Sequence, residues 1–596
     1  MEIETLGELF IHSTEKYATQ TAYEYEGQGI WQDITYREVY RKVEQLSEGL
    51  KAYGLKHKDH IGIMAENSLN WALIDYAIIC SKGVPVTIYP SLTAKQAKWI
   101  LLHSEAKYLF CGSRKEAEKI LKVCDDLPKI KKVILLNNDQ AQHKDFITLE
   151  QLFIAGKERM ESTLPTLKDD INSINKDDVA TIIYTSGTTG TPKGVMLTHK
   201  NITSNICDSV EALEINKDDK LLAFLPLSHA FQRTTSHFAP FAVGSTVCYP
   251  KNKLKVIENM TEVNPTILVT VPRLLEKLYT RIISKVEKKS NIKQNIFWWA
   301  VERGKKIFKK KNSGQSVGFL LEKQYNIADQ LVFSKVKEKL GDSLNYMISG
   351  GAPLPKKVSS MLNGMGIEII EGYGLTETSP VVSGNRLGKN KIGTVGKPLP
   401  SVEVKTRKDG ELLIKGPNVM KGYYKNEEQT QKVFTEDGWL ISGDIVEIDE
   451  DNYITITDRK KHIIVTASGK NVAPNQLEGN LVTSKWIEQA LVIGNDKKYL
   501  TALVVPSFPN LEDWAEDNNI AWDNREELLS NPKVQEVYDH TIKESMEGYA
   551  QFERIRKYQL LPDEFTIEDG ELTPSLKIKR EVVLDKYSEL ISEMYN

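Results

Sequence analysis

Paired cysteines, long apolar runs and any strong charge imbalance are missing from this chain. Its five cysteines (Cys80, Cys111, Cys124, Cys207 and Cys248) are scattered and odd in number. No CxxC pair and no His/Cys cluster at zinc spacing occurs, which speaks against a disulfide scaffold or a zinc site. Reduced thiols in a cytoplasmic protein are the expectation. The longest apolar stretch, residues 71–90, is broken by Asp75 and Lys82, so no membrane-spanning helix is expected. The opening MEIETLGELF carries acidic residues where a secretory leader carries basic ones. A formal net charge of −3 gives no overall pull toward nucleic acid or anionic lipid, so any such attraction must come from a local patch. Repeats and low-complexity tracts are absent as well.

What the chain does have is length and alternation. With 596 residues it exceeds one hydrophobic core, and at least two domains are expected. Short β-branched runs alternate with helical patterns, which argues for α/β architecture. Five of those runs end in a polar or glycine-rich motif: IIY in TSGTTG, LLAF in LPLSHAF, TILV in TVPRLLEK, NYMI in SGGAPLP and IEII in EGYGLTET. Parallel α/β sheets bind ligands beyond the carboxyl ends of their strands, so one shared crevice is expected. Past residue 438 the texture shifts to Asp-rich turns around short strands. HIIVTASG, QALVIGND and YLTALVVPS then read as a second small sheet, followed by a helix near residues 534–546. The charged TDRKK, residues 457–461, suits a hinge between domains better than a core element.

The stretch TIIYTSGTTGTPKGVMLTHKN, residues 181–201, carries the first chemistry. A P-loop would need Gly-Lys-Ser/Thr, but Lys193 lies between Pro192 and Gly194, so a Walker-type NTPase is rejected. What remains is a hydroxyl-rich loop (Thr185, Ser186, Thr188, Thr189, Thr191) with Gly187 and Gly190 to bring backbone amides close to an anion. Lys193 adds a point charge. Such a loop suits a phosphate tail that is gripped and then released. A plain surface turn needs one or two such residues, not ten in a row.

This loop resembles the signature of the adenylate-forming enzymes. EGYGLTETSP, GWLISGDIVEID, TDRKKHIIVTASGKNVAPNQLE and GELTPSLKIKR resemble that family's later motifs, in the family's order. LPLSHAFQR, VPRLLEKLY, FWWAVERG and SGGAPLP are most similar to its long-chain fatty acid:CoA ligase branch. The resemblance implies an α/β fold: a large N-terminal domain with two mainly parallel sheets and a small β-barrel-like subdomain, then a small mobile α+β C-terminal domain. The implied limits are residues 1–457, a hinge at 458–461, and 462–596. It implies a two-step reaction in which a long-chain fatty acid and ATP give acyl-adenylate and pyrophosphate, after which CoA takes the acyl group. A carboxylate is a poor electrophile until its oxygen becomes part of a good leaving group, and positioning with charge neutralisation is what the site must supply.

Residue by residue, the resemblance implies an ATP site built from Thr185, Ser186, Gly187, Thr188, Thr189, Gly190 and Lys193. Tyr373, flanked by Gly372 and Gly374, would stack on adenine, with Gly350, Gly351, Ala352 and Pro353 as the opposite wall. Thr376 would bond the α-phosphate and Glu377 would hold Mg2+. Asp444 would accept the ribose hydroxyls, and Arg459 would reach them from the hinge side. His229 would sit beside the substrate carboxylate, its acid or base role open. Lys577 matches the mobile adenylation lysine, although the family's usual Ser-Gly before it is Ser575-Leu576 here, as in the long-chain branch. Lys461 matches the hinge position, and Gly469 would line the CoA channel, where a side chain would block the pantetheine arm.

Four questions stay open in the sequence. A fatty acyl-AMP ligase or an acyl-carrier-protein ligase shares the first step, and so does a peptide-synthetase adenylation domain, although no carrier-like segment follows Lys577. A non-catalytic binder of fatty acid and nucleotide would show decay at Glu377, Asp444 or Lys577, and all three are present. One fatty-acid branch gates its acyl tunnel with a tryptophan where this chain has Arg233; Trp298 and Trp299 are the alternative tunnel walls, or plain core aromatics. Finally, residues 281–311 hold eleven Lys/Arg and two Glu around Ile296, Phe297, Trp298 and Trp299. That composition raises the expectation of peripheral contact with the inner face of a membrane.

Overall fold

A computed structural model describes residues 3–27, 29–137, 143–185, 192–252, 255–573 and 576–596. Among them, two large sheets form the N-terminal part. In one, strands His60–Met64, Val84–Thr87, Tyr108–Cys111, Lys132–Leu135, Phe146–Thr148 and Val179–Thr185 run parallel. The hairpin partner Lys193–Thr198 and the short Gly422–Tyr423 close one edge antiparallel. In the other, Tyr346–Ser349 lies between Ile267–Thr270 and Glu368–Gly374, all parallel, with antiparallel hairpins at both edges. The inner strands are short and buried on both faces, as expected of sheets covered by helices.

The expected barrel-like subdomain is a four-stranded antiparallel sheet of Glu403–Thr406, Glu411–Lys415, Leu440–Ile448 and Ile454–Arg459. Its inward residues Leu412, Ile414, Leu440 and Ile454 join the main N-terminal core. Beyond residue 460 a separate core forms around Leu477, Leu491, Leu503, Leu511, Val534 and Tyr538. Strands Ile487–Ile493, Leu500–Pro506 and Ile555–Leu560 make its sheet, and the helix Pro532–Ser545 packs with it. HIIV is not part of that sheet: Ile464–Val465 pairs only with Asn471–Val472, as a two-stranded ribbon. The reason is local, because the turn at Thr466–Lys470 folds the strand back before it reaches a third partner.

TDRKK begins inside a strand. Asp458 and Arg459 end the Ile454–Arg459 strand, and the turn follows, with His462 and Ile463 N–H groups donating to the Arg459 carbonyl. Lys460 is tied to the N-terminal part by Asp409 at 2.7 Å and Glu411 at 3.0 Å. Asp458 instead accepts from the backbone and side chain of Asn475, at the start of the helix Pro474–Leu481. No helix among the described residues is long and apolar enough to cross a membrane.

Candidate active site

One cavity of about 1090 Å³ lies where the carboxyl ends of both large sheets meet the C-terminal core. It stands at the upper end of small-molecule sites, roughly 300–1,000 Å³, and so has room for more than one ligand. Four of the five post-strand motifs reach it. The fifth does not: Pro272 starts a helix directly after the strand Ile267–Thr270, so TVPRLLEK forms no loop that reaches back. Its helix Pro272–Glu287 faces the C-terminal domain instead. Arg273 and Lys277 both pair with Glu488, Glu287 with Lys485 at 2.6 Å, and Lys288 just beyond it with Asp513 at 3.8 Å.

The hydroxyl-rich loop is held at its base by an antiparallel pair, Thr185 opposite Lys193, and both residues line the cavity. Ser186, Gly187, Thr188, Thr189 and Gly190 lie outside the described residues. The Lys193 ammonium donates to Gln429 Oε1 at 2.9 Å and sits 5.0 Å from the centre of the Tyr423 ring. Burial, followed by the charge of Lys461, holds its pKa below the usual lysine range. Lys461 lines the same cavity.

Gly372, Tyr373 and Gly374, which end one strand, line the cavity together with Thr376 and Glu377. The Tyr373 hydroxyl donates to Asp444 Oδ2 at 2.6 Å, and Arg459 Nε meets Asp444 Oδ1 at 3.0 Å. Asp444 and Arg459 are direct neighbours across their antiparallel ladder, which explains the pairing. Asp444 itself is buried beneath this layer and is not a lining residue. Burial works against the charge of Arg459, but Asp444 overrides it and holds the pKa above the ordinary value.

Gly350 and Gly351 form part of the wall, whereas Ala352 and Pro353 turn outward and are exposed. A Cβ on Gly350 would stand 2.9 Å from the ring of Phe231, so any larger residue there would have to push that ring aside. Phe231 follows His229, which caps the short helix Ala230–Arg233. The Phe231 N–H donates to His229 Nδ1 at 3.2 Å, which places the ring hydrogen on Nε2. Burial, reinforced by the charge of Lys577, pushes the His229 pKa down to about 4. His229 is therefore a neutral hydrogen-bond donor, and it lines the cavity.

Lys577 enters from the C-terminal domain. A tight turn presents it, with the Lys577 N–H donating to Thr573 Oγ1 at 3.0 Å. Leu576 takes the left-handed backbone (φ 62°) that a glycine would adopt freely at this position, so the turn survives the replacement. The Lys577 side chain is exposed, but its exposed surface faces the cavity it lines, around which protein closes. Burial, then the charge of Arg459, pushes its pKa down to about 8 against the opposing pull of Asp444. Gly469 lies away from the cavity, with φ 75° and open space where a Cβ would stand. In this arrangement only its backbone conformation calls for glycine.

Sequence reasoning missed Tyr423 and Lys432. Tyr423 donates its hydroxyl to Glu377 Oε1 at 2.9 Å, and Lys432 lines the cavity. Neither belongs to a spaced motif; the only signal for Tyr423 is the basic, aromatic KGYYKN, and Lys432 lies outside it. Eight cationic side chains and two carboxylates line the cavity, an imbalance that suits a polyphosphate. No group of three or more His, Cys, Asp or Glu among the described residues surrounds a metal-sized space. The Glu377 carboxylate in this lining matches the protein share of an Mg2+ site, an ion usually held by one or two carboxylates plus phosphate oxygens.

Neither tunnel-wall candidate lines the cavity: Trp298 is exposed and Trp299 is half-buried against the core behind the sheet. Arg233 is no gate either. It is fully buried, with Nε 2.9 Å from Asp75 Oδ2, Nη2 2.5 Å from Asp75 Oδ1 and Nη1 2.7 Å from Thr181 Oγ1. His237, one turn on in a π-turn, stands 3.4 Å from the same carboxylate. Phe231, Ala212, Leu213, Ile348, Ile370 and Val381 supply an apolar arm of the cavity lining.

Comparison with known proteins agrees with this geometry. Residues 10–424 match the family described as AMP-binding enzyme, and residues 461–596 match the AMP-binding enzyme C-terminal domain. The chain is 34% identical to the long-chain-fatty-acid–CoA ligase FadD15 of Mycobacterium bovis over 95% of this chain and 93% of that one. It is 30% identical to the peroxisomal long chain acyl-CoA synthetase 7 of Arabidopsis thaliana, over 100% and 87%. The adenylation domain of a carboxylate reductase from Mycobacterium chelonae superposes with a TM-score of 0.76 at 22% identity, over 99% and 91%. The chain belongs to the AMP-binding enzyme family, in the branch that holds its long-chain fatty acid–CoA ligase relatives.

Proposed function

We propose that this protein joins a long-chain fatty acid to CoA in two steps, through an acyl-adenylate, with release of pyrophosphate and then AMP. The observation that carries the reading is the delivery of Lys577 from the C-terminal domain into a cavity that also holds His229, Tyr373 and a cation-rich end. Adenine stacks on Tyr373, and Asp444 and Arg459 take the ribose. Thr185, Lys193, Lys432 and Thr376 hold the phosphates. Glu377 is the protein ligand for Mg2+, which when bound neutralises phosphate charge. His229 donates its Nε2 hydrogen to the acid and orients one carboxylate oxygen. Lys577, protonated, sits between that carboxylate and the α-phosphate and offsets the charge that builds there as the oxygen attacks in line. The acyl chain occupies the apolar arm. Each buried methylene contributes about 0.8 kcal/mol, so neighbouring chain lengths are discriminated weakly.

The second step needs the thiol to approach where Lys577 stands. Rotation of residues 462–596 about 458–461, with Lys461 at the pivot, withdraws Lys577 and brings Gly469 to the channel. Peripheral contact with a membrane through residues 281–311 places the enzyme beside its apolar substrate. Pyrophosphate release across a panel of carboxylic acids, with and without CoA, tests the reading. Long-chain acids should give the highest rate, and CoA should be consumed. Acyl-adenylate that accumulates with CoA present, and clears only with an acyl carrier protein, would favour the carrier-protein ligase instead.

A further inference from the structure

Fifteen large apolar side chains are exposed among the described residues, and seven of these fall between residues 292 and 331. The helix Asn291–Asn312 carries Ile292, Ile296 and Trp298. The helix Phe319–Ala328 and its continuation Asp329–Phe333 carry Phe319 (72% exposed), Leu320 (70%), Ile327 and Leu331. At helical spacing these last four and Lys323 share one face about 120° wide. The opposite face buries Ala328 and Phe333, with Tyr325 5.8 Å from the Phe333 ring. The element thus has two apolar faces, one packed on the core and one turned out to solvent.

Charge surrounds this stripe. Residues 281–337 contain fourteen Lys/Arg and four Asp/Glu, in a chain whose formal net charge is −3. Lys305 pairs with Glu302 and Lys337 with Asp329, so two of the four carboxylates are already neutralised within the segment. The Lys323 ammonium rides over the Phe319 ring at 4.9 Å. Protein–protein interface centres are depleted of lysine, whereas helices that lie in a bilayer surface carry it beside Trp, Phe and Leu. The position also fits. Ile348 and Ile370 line the cavity, while their neighbours Met347 and Ile369 point through the sheet into the core under the helix Asn291–Asn312. The patch therefore lies on the far side of the same sheet that walls the apolar arm.

We propose that the stripe Phe319–Leu320–Ile327–Leu331, outside the basic segment 281–311, is what enters an anionic bilayer surface, while Lys309, Lys310 and Lys311 supply the headgroup attraction. This rests on the membrane reading above and assigns its apolar part to a different helix. The full chain would be sedimented with phosphatidylcholine vesicles, with and without phosphatidylglycerol, at two salt concentrations. Wild type should bind the anionic vesicles, and less so at high salt. The double variant Phe319→Ser/Leu320→Ser should bind at least about tenfold more weakly. Changing Lys309, Lys310 and Lys311 to Gln should cost about fivefold per charge and flatten the salt dependence. All variants should keep wild-type pyrophosphate exchange with a short soluble acid, because the substituted side chains are on the surface. Wild type that binds no vesicle overturns both readings. Wild type that binds, with the double-serine variant binding equally well, overturns the stripe alone. Self-association in the absence of lipid, abolished by the double-serine variant, would make the stripe a protein interface and refute the proposal.

Discussion

In the proposed reaction Lys577 acts only while protonated, and its setting makes that proton easy to lose. With its pKa pushed down to about 8 by burial and by Arg459, the free enzyme should lose adenylation competence as pH rises through that value. Below it the lysine is charged, so the sign is a fall with increasing pH. From pH 7 to pH 9 the protonated fraction drops about tenfold, whereas a lysine at its ordinary value near 10.4 would stay almost fully charged. Lys193, in the same cavity, is also held below the usual lysine range by burial and Lys461, so the arginine variant is what assigns the inflection to Lys577. His229 and His462 are held down to about 4, and Arg459 stays charged throughout. The assay is ATP–pyrophosphate exchange, taken as kcat/KM for ATP, which reports free-enzyme ionisations. Replacement by arginine, Lys577→Arg, should lower the rate but remove the inflection. Thiol transfer from supplied acyl-adenylate should instead rise over the same range, as the thiol ionises. A flat wild-type profile to pH 9.5, or an unchanged inflection in the arginine variant, would refute the reasoning.

Other consequences are open to direct measurement. Gly469→Leu should spare pyrophosphate exchange and abolish thioester formation, and Lys577→Ala should do the reverse; equal loss of both half-reactions in Gly469→Leu would count against domain rotation. Glu488→Lys sets a like charge against Arg273 and Lys277, so exchange at low salt should fall by about tenfold while thiol transfer is maintained. Asp75→Leu strands the buried Arg233 guanidinium and should cost about 3–5 kcal/mol in denaturant unfolding, most of it recovered in the double variant Asp75→Leu/Arg233→Met.

Much of the site was legible because its residues travel in runs. EGYGLTET puts Gly372, Tyr373, Gly374, Thr376 and Glu377 on one strand end, and the structure keeps them on one wall. The same is true of Thr185 and Lys193, which close one hairpin. What was illegible depends on contacts between distant segments. Asp75 and Arg233 are 158 residues apart, and Glu377 and Tyr423 are 46, so no spacing announces either pair. Position in a motif also says nothing about which way a side chain turns. Ala352 and Pro353 follow Gly351 but face outward, and Trp298 sits beside the buried Phe297 yet faces solvent. The helix after Ile267–Thr270 misled for a related reason, since a strand end predicts a ligand only where a loop intervenes.

The buried guanidinium of Arg233 has a practical implication for anyone redesigning chain-length preference. It bolts together the helix Leu69–Cys80, the strand that runs into the hydroxyl-rich loop and the segment that begins at His229. A tryptophan gate borrowed from another branch cannot simply be grafted at position 233. Unless Asp75 and His237 are rewritten with it, the transplant would leave a carboxylate without its counter-ion in the middle of the protein and loosen the alignment of nucleotide and acid at once.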